Sequence, residues 1–192
     1  PILFLSGLLL AAHFASWVTS LSYTSVASSA LFVTTTPVFV AVVTHYYLRR
    51  RLWWLTTIAV TICLLGGAVL ATGDWAAEQR KLGGDALALI GAIAIGGYLL
   101  VTTHARQRIP ILPFITVVYS IAAVALVIMA LVTGAPMTGL PRETYIWMAM
   151  GALVPQIVGH SLLNWALGYW TATNVALAIR AEPFLKAGRR EA

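Results

Sequence analysis

The chain of 192 residues is 60% hydrophobic, with only 9% charged residues and a mean hydropathy of +0.87. A soluble domain carries about 25% charged residues, so this composition excludes one large soluble domain, whose surface so few charges would not cover. The net charge of +6 does not indicate nucleic-acid binding, because the charges lie in short clusters between apolar runs. The composition predicts an all-α, polytopic integral membrane protein.

Seven stretches are candidates for membrane-spanning helices, since a span needs about 20 mostly apolar residues. In chain order they are 2–20, 26–48, 52–72, 86–104, 111–133, 145 to about 167, and 172–185. The seventh is short and contains Arg180 and Glu182, so whether it crosses the membrane stays open. The chain opens at Pro1 without a basic leader, and we expect it to begin inside a longer protein.

The linkers between these spans alternate between the two sides of the bilayer. One side holds five basic residues and no acid: Arg49, Arg50, Arg51, Arg106 and Arg108. The other side holds three basic and four acidic residues: Arg80, Lys81, Arg142, Asp74, Glu78, Asp85 and Glu143. Because cytoplasmic loops are enriched in Lys and Arg, this bias places the arginine loops in the cytoplasm and predicts that the first span runs outward.

The first two spans are similar to the sixth and seventh. A shift of 146 residues aligns Tyr23 with Tyr169 and Pro37 with Pro183, together with three Leu or Ala positions. An odd number of crossings separates the copies, so they would enter the membrane from opposite sides. We therefore expect an inverted-topology repeat, which in many secondary transporters places the substrate site near the membrane midplane.

Three threonines and a proline interrupt the second span at 34–37. Proline removes a helix hydrogen bond and clashes with the preceding turn, and hydroxyls can satisfy the carbonyls that it frees. Two interpretations stay open: a kink that the threonines only repair, and a bend that lines a cavity. On the second, Thr34, Thr35 and Pro37 are candidate cavity residues.

Polar side chains inside a span are costly and are therefore candidate functional residues. In the first span, His13 and Trp17 share one helix face, and in the sixth Gln156, His160 and Asn164 do so. The 146-residue shift places His13 beside His160, so we expect both to face one cavity. The alternative is that such groups hydrogen-bond one helix to another.

Tyr98, deep in the fourth span, is a further cavity candidate, and Glu182 is the only acid at predicted membrane depth. Together with Glu182, His13 and His160 are the candidates for proton coupling. The sequence predicts no catalytic residue, no metal site and no cofactor: hydrolase, zinc-protease and phosphate-loop motifs are absent, and Cys63 is the single cysteine.

One long stretch resembles the third and fourth helices of an EamA-like transporter of the drug/metabolite transporter superfamily: HFASWVTSLSYTSVASSALFVTTTPVFVAVVTHYYLRRR. Another, YWTATNVALAIRAEPF, resembles the start of that family's ninth helix. The resemblance covers nearly the whole chain, as helices three to nine of ten. It implies the end of a first repeat at 1–73, an extracytoplasmic linker at 74–85 and an incomplete second repeat at 86–185. The basic end at 186–192 departs from the family's apolar continuation.

The resemblance implies a secondary transporter in the cell membrane that exports small metabolites or drug-like compounds by alternating access. A non-transporting membrane subunit or sensor is the alternative, and a membrane-embedded enzyme is a weaker one. The expected partners are a small-molecule substrate, the lipid bilayer and, in a homodimer, a second copy of the chain; no nucleic acid is expected.

Overall fold

The computed structural model describes residues 1–49, residues 82–177 and separate positions between 54 and 65. Every regular element in this part of the chain is helical. In order these are α1 (Ile2–Ser20), α2 (Val26–Val33), α3 (Thr36–Val42), α4 (Leu82–Arg106), α5 (Ile111–Thr133), α6 (Arg142–Gly151) and α7 (Ser161–Ala166), with π-helical segments at Val43–Tyr47 and Ala152–His160. A short helical segment follows at 172–177.

Five helices in the described part are long and apolar enough to cross a membrane. They are Ile2–Ser20, Val26–Tyr47, Leu82–Arg106, Ile111–Thr133 and Arg142–Ala166. The second combines α2, α3 and the π-helical segment after them. The last, here called the sixth-span helix, combines α6, Ala152–His160 and α7. The all-α, polytopic class predicted from composition is confirmed.

The sequence-based spans agree closely with these helices. The first and fifth are confirmed at both ends. The fourth begins at Leu82 instead of residue 86, because Asp85 lies buried in the first turn of α4, where the helix dipole favours an acid. Most of the third span and most of the seventh lie outside the described residues, as do Arg180, Glu182 and Pro183. The domain boundaries stay predictions.

Helix α4 lies at the centre of the bundle and packs against α1, α2 and α3. Its small residues allow close approach: an added Cβ on Gly91 would lie 3.2 Å from the Ser16 hydroxyl, and one on Gly96 would lie 3.5 Å from Val40. Helices α1 and α4 run in opposite directions, since Leu9 lies beside Gly97 whereas Trp17 lies beside Gly91. Small residues at such contacts are typical of membrane helix pairs.

The outside of the bundle is strongly apolar. Helix α5 exposes large aliphatic side chains along most of its length, including Leu112, Val124, Ile128, Leu131 and Val132. A soluble monomer rarely exposes a continuous apolar surface of this kind. In a membrane, lipid tails would cover this surface and keep its apolar side chains out of water, as expected for a polytopic bundle.

Candidate functional site

The break in the second span lies between α2 and α3. The hydroxyls of Thr34, Thr35 and Thr36 each donate to the carbonyl three residues earlier. The acceptors are Leu31 at 2.5 Å, Phe32 at 2.6 Å and Val33 at 2.7 Å. Pro37 lies in the first turn of α3, where a missing N–H breaks no hydrogen bond within the helix. The threonines therefore satisfy backbone carbonyls around the break, as the repair interpretation requires.

The inner side of this bend faces α4. Thr36 and Pro37 are buried there, and the Thr36 hydroxyl also lies 3.4 Å from the Ala92 carbonyl. Thr34 and Thr35 are half-buried. Their hydroxyl protons are donated to helix carbonyls, so these two hydroxyls could only accept a hydrogen bond from a solute. The cavity interpretation of Thr34, Thr35 and Pro37 stays a prediction.

His13 joins α1 to α4. Its side chain is 5% exposed, and its Nδ1 lies 2.9 Å from the Gly91 carbonyl oxygen. Since a carbonyl only accepts, Nδ1 is the donor and carries the proton in this bond. One nitrogen of His13 therefore bonds α1 to α4. This is the interhelical alternative that the sequence analysis left open.

Four rings form a continuous row from α1 to the sixth-span helix. The Trp17 and His13 rings stack with centroids 5.8 Å apart and planes 8° apart. The His13 and Phe14 centroids are 5.2 Å apart, and the edge-on contact of Phe14 with His160 spans 5.3 Å. We call Trp17, His13, Phe14 and His160 the ring row. In this row, the Phe14 ring alone separates His13 from His160. The sequence offered no reason to select Phe14, because it is one apolar residue among many.

Several buried polar atoms beside the ring row have no hydrogen-bond partner. They include Trp17 Nε1, Gln156 Oε1 and His160 Nδ1. Such atoms are rare in folded proteins because each loses its hydration without compensation. Gln156 and His160 both lie in the π-helical segment, which contains Pro155, and π-helical turns often occur at functional sites. All three residues were candidates from the sequence.

Tyr98 and Asn164 belong to a different group, the tyrosine cluster, with Tyr119 and Ser161. The Tyr98 hydroxyl donates to Asn164 Oδ1 at 2.6 Å, and Asn164 Nδ2 donates to the Tyr119 hydroxyl at 3.1 Å. The Tyr119 and Ser161 hydroxyls lie 3.3 Å apart. Tyr98 and Asn164 are almost fully buried, and their polar atoms bind each other, as the interhelical alternative predicts. Tyr119 was missed, although its place inside an apolar span is the same signal that identified Tyr98.

Arg106, at the end of α4, lies beside this cluster and bonds to the backbone of Asn164. Its Nε donates to the Asn164 carbonyl at 2.9 Å, its Nη1 donates to the Ile109 carbonyl, and its guanidinium carbon lies 6.0 Å from the Phe114 ring centroid. The sequence assigned Arg106 only to a cytoplasmic loop. The arginine also connects the end of α4 with α5 and α7.

Asp85 connects the opposite end of α4 with the start of the second span. Its Oδ1 accepts from the Thr24 hydroxyl at 2.8 Å and from the Ser28 hydroxyl at 2.7 Å. The backbone of the α1–α2 turn approaches so closely that an added Cβ on Gly84 would lie 2.7 Å from the Tyr23 carbonyl carbon. The sequence placed Asp85 in an extracytoplasmic linker, and its hydroxyl partners gave no signal because they are distant in the chain.

No group of three or more His, Cys, Asp or Glu side chains among the described residues could hold a metal ion. The ring row offers aromatic surfaces for stacking, together with unpartnered polar atoms for hydrogen bonding. Both are means of binding a small organic molecule.

A sequence model of the EamA-like transporter family matches residues 82–187. The match takes in α4 to α7 and includes five of the candidate residues: Tyr98, Gln156, His160, Asn164 and Glu182. No significant match is found among curated proteins or among solved structures.

Proposed function

The chain belongs to the EamA-like transporter family, and on this premise we propose that it is a secondary exporter of small metabolites or drug-like compounds. It is a multi-pass membrane protein of the drug/metabolite transporter superfamily. We place it in the cell membrane, with the arginine-rich loops in the cytoplasm. Transport proceeds by alternating access, in which one repeat rocks against the other.

The observation that carries the site assignment is the contact of Phe14 with both histidine rings. His13 lies on a helix of the proposed first repeat and His160 on a helix of the second. A solute bound between them would touch both repeats. Any relative movement of the repeats would then change its access to the two sides of the membrane.

The tyrosine cluster and Arg106 lie within the proposed second repeat, with Arg106 at its cytoplasmic end. They connect α4, α5 and α7 by hydrogen bonds between buried groups. These bonds would hold the three helices together as one body while the second repeat rocks against the first. We propose that the bend at Thr34, Thr35 and Pro37 accommodates part of this motion.

The test is solute flux through the full-length protein in proteoliposomes, measured against a panel of metabolites and drug-like compounds. For a transported compound, His13→Ala and His160→Ala should each lower flux about tenfold or more. His45→Ala and His104→Ala are matched controls, because both histidines are exposed at helix ends, and they should keep wild-type flux. An imposed proton gradient tests coupling through His13, His160 and Glu182.

Two results would contradict the proposal. If the wild-type protein moves no compound of the panel, the alternative of a non-transporting subunit or sensor is favoured. If flux is present but the four histidine variants behave alike, the site between the two histidines is wrong.

A further inference from the structure

We infer that the site beside the ring row takes flat, uncharged solutes that carry both an N–H donor and a carbonyl acceptor, as a nucleobase-like heterocycle does. This inference rests on the proposed function and names the substrate class of the same site. Four properties of the described residues carry it: the common level of two polar side chains, the donor or acceptor character of their unpartnered atoms, the placement of charge, and the aromatic walls.

Trp17 and Gln156 lie on the same side of the two histidines. Phe14 of α1 contacts His160, whereas Asn164 binds Tyr98, whose neighbour Gly97 lies beside Leu9. Later residues of the sixth-span helix thus lie at the level of earlier residues of α1, so these two helices run in opposite directions. Trp17 follows His13 by about one turn, and Gln156 precedes His160 by about one turn. Both are displaced in the same direction from the level at which Phe14 touches His160.

The unpartnered atoms at this level have complementary chemistry. An indole N–H only donates and an amide oxygen only accepts, whereas an imidazole nitrogen takes either role according to its tautomer. A solute that satisfies Trp17 Nε1 must therefore present an acceptor. One that satisfies Gln156 Oε1 must present a donor.

Charged side chains of the described helices lie away from this level. Along the sixth-span helix, Glu143 precedes Gln156 by 13 residues, which is about 20 Å of helix. On α4, Asp85 precedes Gly91 by six residues and accepts hydrogen bonds from Thr24 and Ser28. Because a buried ion without a fixed counter-charge is strongly disfavoured, an uncharged solute is the better fit.

The walls favour a flat molecule. The Trp17 and His13 rings are nearly parallel, and Phe14 presents its ring to His160 nearby. Aromatic rings bind one another best in offset-stacked or edge-on arrangements. A planar heterocycle can use both while its edge meets the polar atoms of Trp17 and Gln156.

Three probes that share one ring separate these requirements. Uracil carries N–H donors and carbonyl acceptors, 1,3-dimethyluracil keeps the carbonyls but has no N–H, and orotate adds a carboxylate. Binding of each is measured by equilibrium dialysis with the full-length protein in lipid nanodiscs. We expect uracil to bind and 1,3-dimethyluracil to bind at least about fivefold more weakly, the effect of one lost hydrogen bond. Orotate should also bind more weakly, because its carboxylate would be buried without a counter-charge.

Two variants remove the proposed polar contacts and keep an aromatic or an aliphatic side chain in place. Trp17→Phe deletes the indole N–H and Gln156→Leu deletes the amide, and each should weaken uracil binding about fivefold. Trp165→Phe and Gln107→Leu are the matched controls, because both side chains are exposed, and they should leave the dissociation constant unchanged.

The inference is overturned if wild-type protein does not bind uracil, or if either 1,3-dimethyluracil or orotate binds at least as tightly as uracil. It is also overturned if the variants bind like their controls. These failures are distinct from failure of the proposed function. Flux of some other compound that His13→Ala and His160→Ala reduce would leave the transporter proposal standing.

Discussion

The hydroxyl of Tyr98 is a single atom that ties α4 to α7. It is almost fully buried and donates to Asn164 Oδ1 at 2.6 Å. Tyr98→Phe removes this donor, keeps the ring, and leaves a buried amide oxygen short of a partner. We expect the free energy of unfolding to fall by about 1–3 kcal/mol, measured by reversible unfolding in mixed micelles with increasing SDS.

Tyr169→Phe is the matched control for this residue-scale prediction, because Tyr169 is 72% exposed. The same substitution there should change the free energy of unfolding by less than about 0.5 kcal/mol. Equal effects at the two positions would mean that the Tyr98–Asn164 bond contributes nothing beyond what an exposed hydroxyl does.

At the same scale, the sequence identifies polar residues better than it identifies their partners. The rule that intramembrane polar groups are costly selected His13, Tyr98 and Asn164, and all three are buried. It gave no information on the Gly91 carbonyl or on Tyr119 as their partners, because these contacts depend on which helix faces which. Asp85 was assigned to a linker by its charge, whereas the hydroxyls of Thr24 and Ser28 help to make a buried position favourable.

At the scale of the helices, Gly7 sets the distance between α1 and α5. An added Cβ would lie 2.6 Å from both Cβ and Cγ2 of Ile121, and 3.1 Å from the Val118 carbonyl oxygen. Ile121 is β-branched and stiff at χ1, so it has little freedom to move aside. Gly7→Ala should lower the free energy of unfolding by about 1–3 kcal/mol, the range for overpacked positions.

Gly151→Ala is the control for Gly7→Ala, since an added Cβ at Gly151 meets nothing within 4 Å. It should be neutral or stabilise the helix by up to about 1 kcal/mol, the usual gain over glycine. The same SDS unfolding series measures both variants. A Gly7→Ala protein as stable as Gly151→Ala would show that α1 and α5 do not pack as closely as the structure has them.

Helix length and position follow from the apolar pattern more directly than helix irregularity does. Hydropathy and flanking polar residues predicted α1 and α5 at both ends. The π-helical segment Ala152–His160 was not predicted, although Pro155 is visible in the sequence, because proline is compatible with several local geometries and the packing of neighbouring helices selects among them. The side-chain directions of Gln156 and His160 depend on that selection.

For the whole molecule, the distribution of arginines predicts one orientation in the membrane. Helix α5 has 23 residues, about 34 Å at 1.5 Å per residue, so the connections before and after it lie on opposite sides of a bilayer. Gln107 and Thr138 are exposed in those two connections. With Cys63 first replaced by serine, Gln107→Cys should resist an impermeant thiol reagent in intact cells, whereas Thr138→Cys should be labelled.

Permeabilised cells provide the control. Both cysteines should react there, which shows that a cysteine unlabelled in intact cells is protected by the membrane and not buried in the protein. The physical reason for the expected pattern is the excess of Arg49, Arg106 and Arg108 and their neighbours over basic residues in the opposite linkers. Labelling of Gln107→Cys alone would reverse the orientation. Arg106 and the end of α4 would then lie on the extracytoplasmic side, and the proposed direction of transport would have to be reassigned.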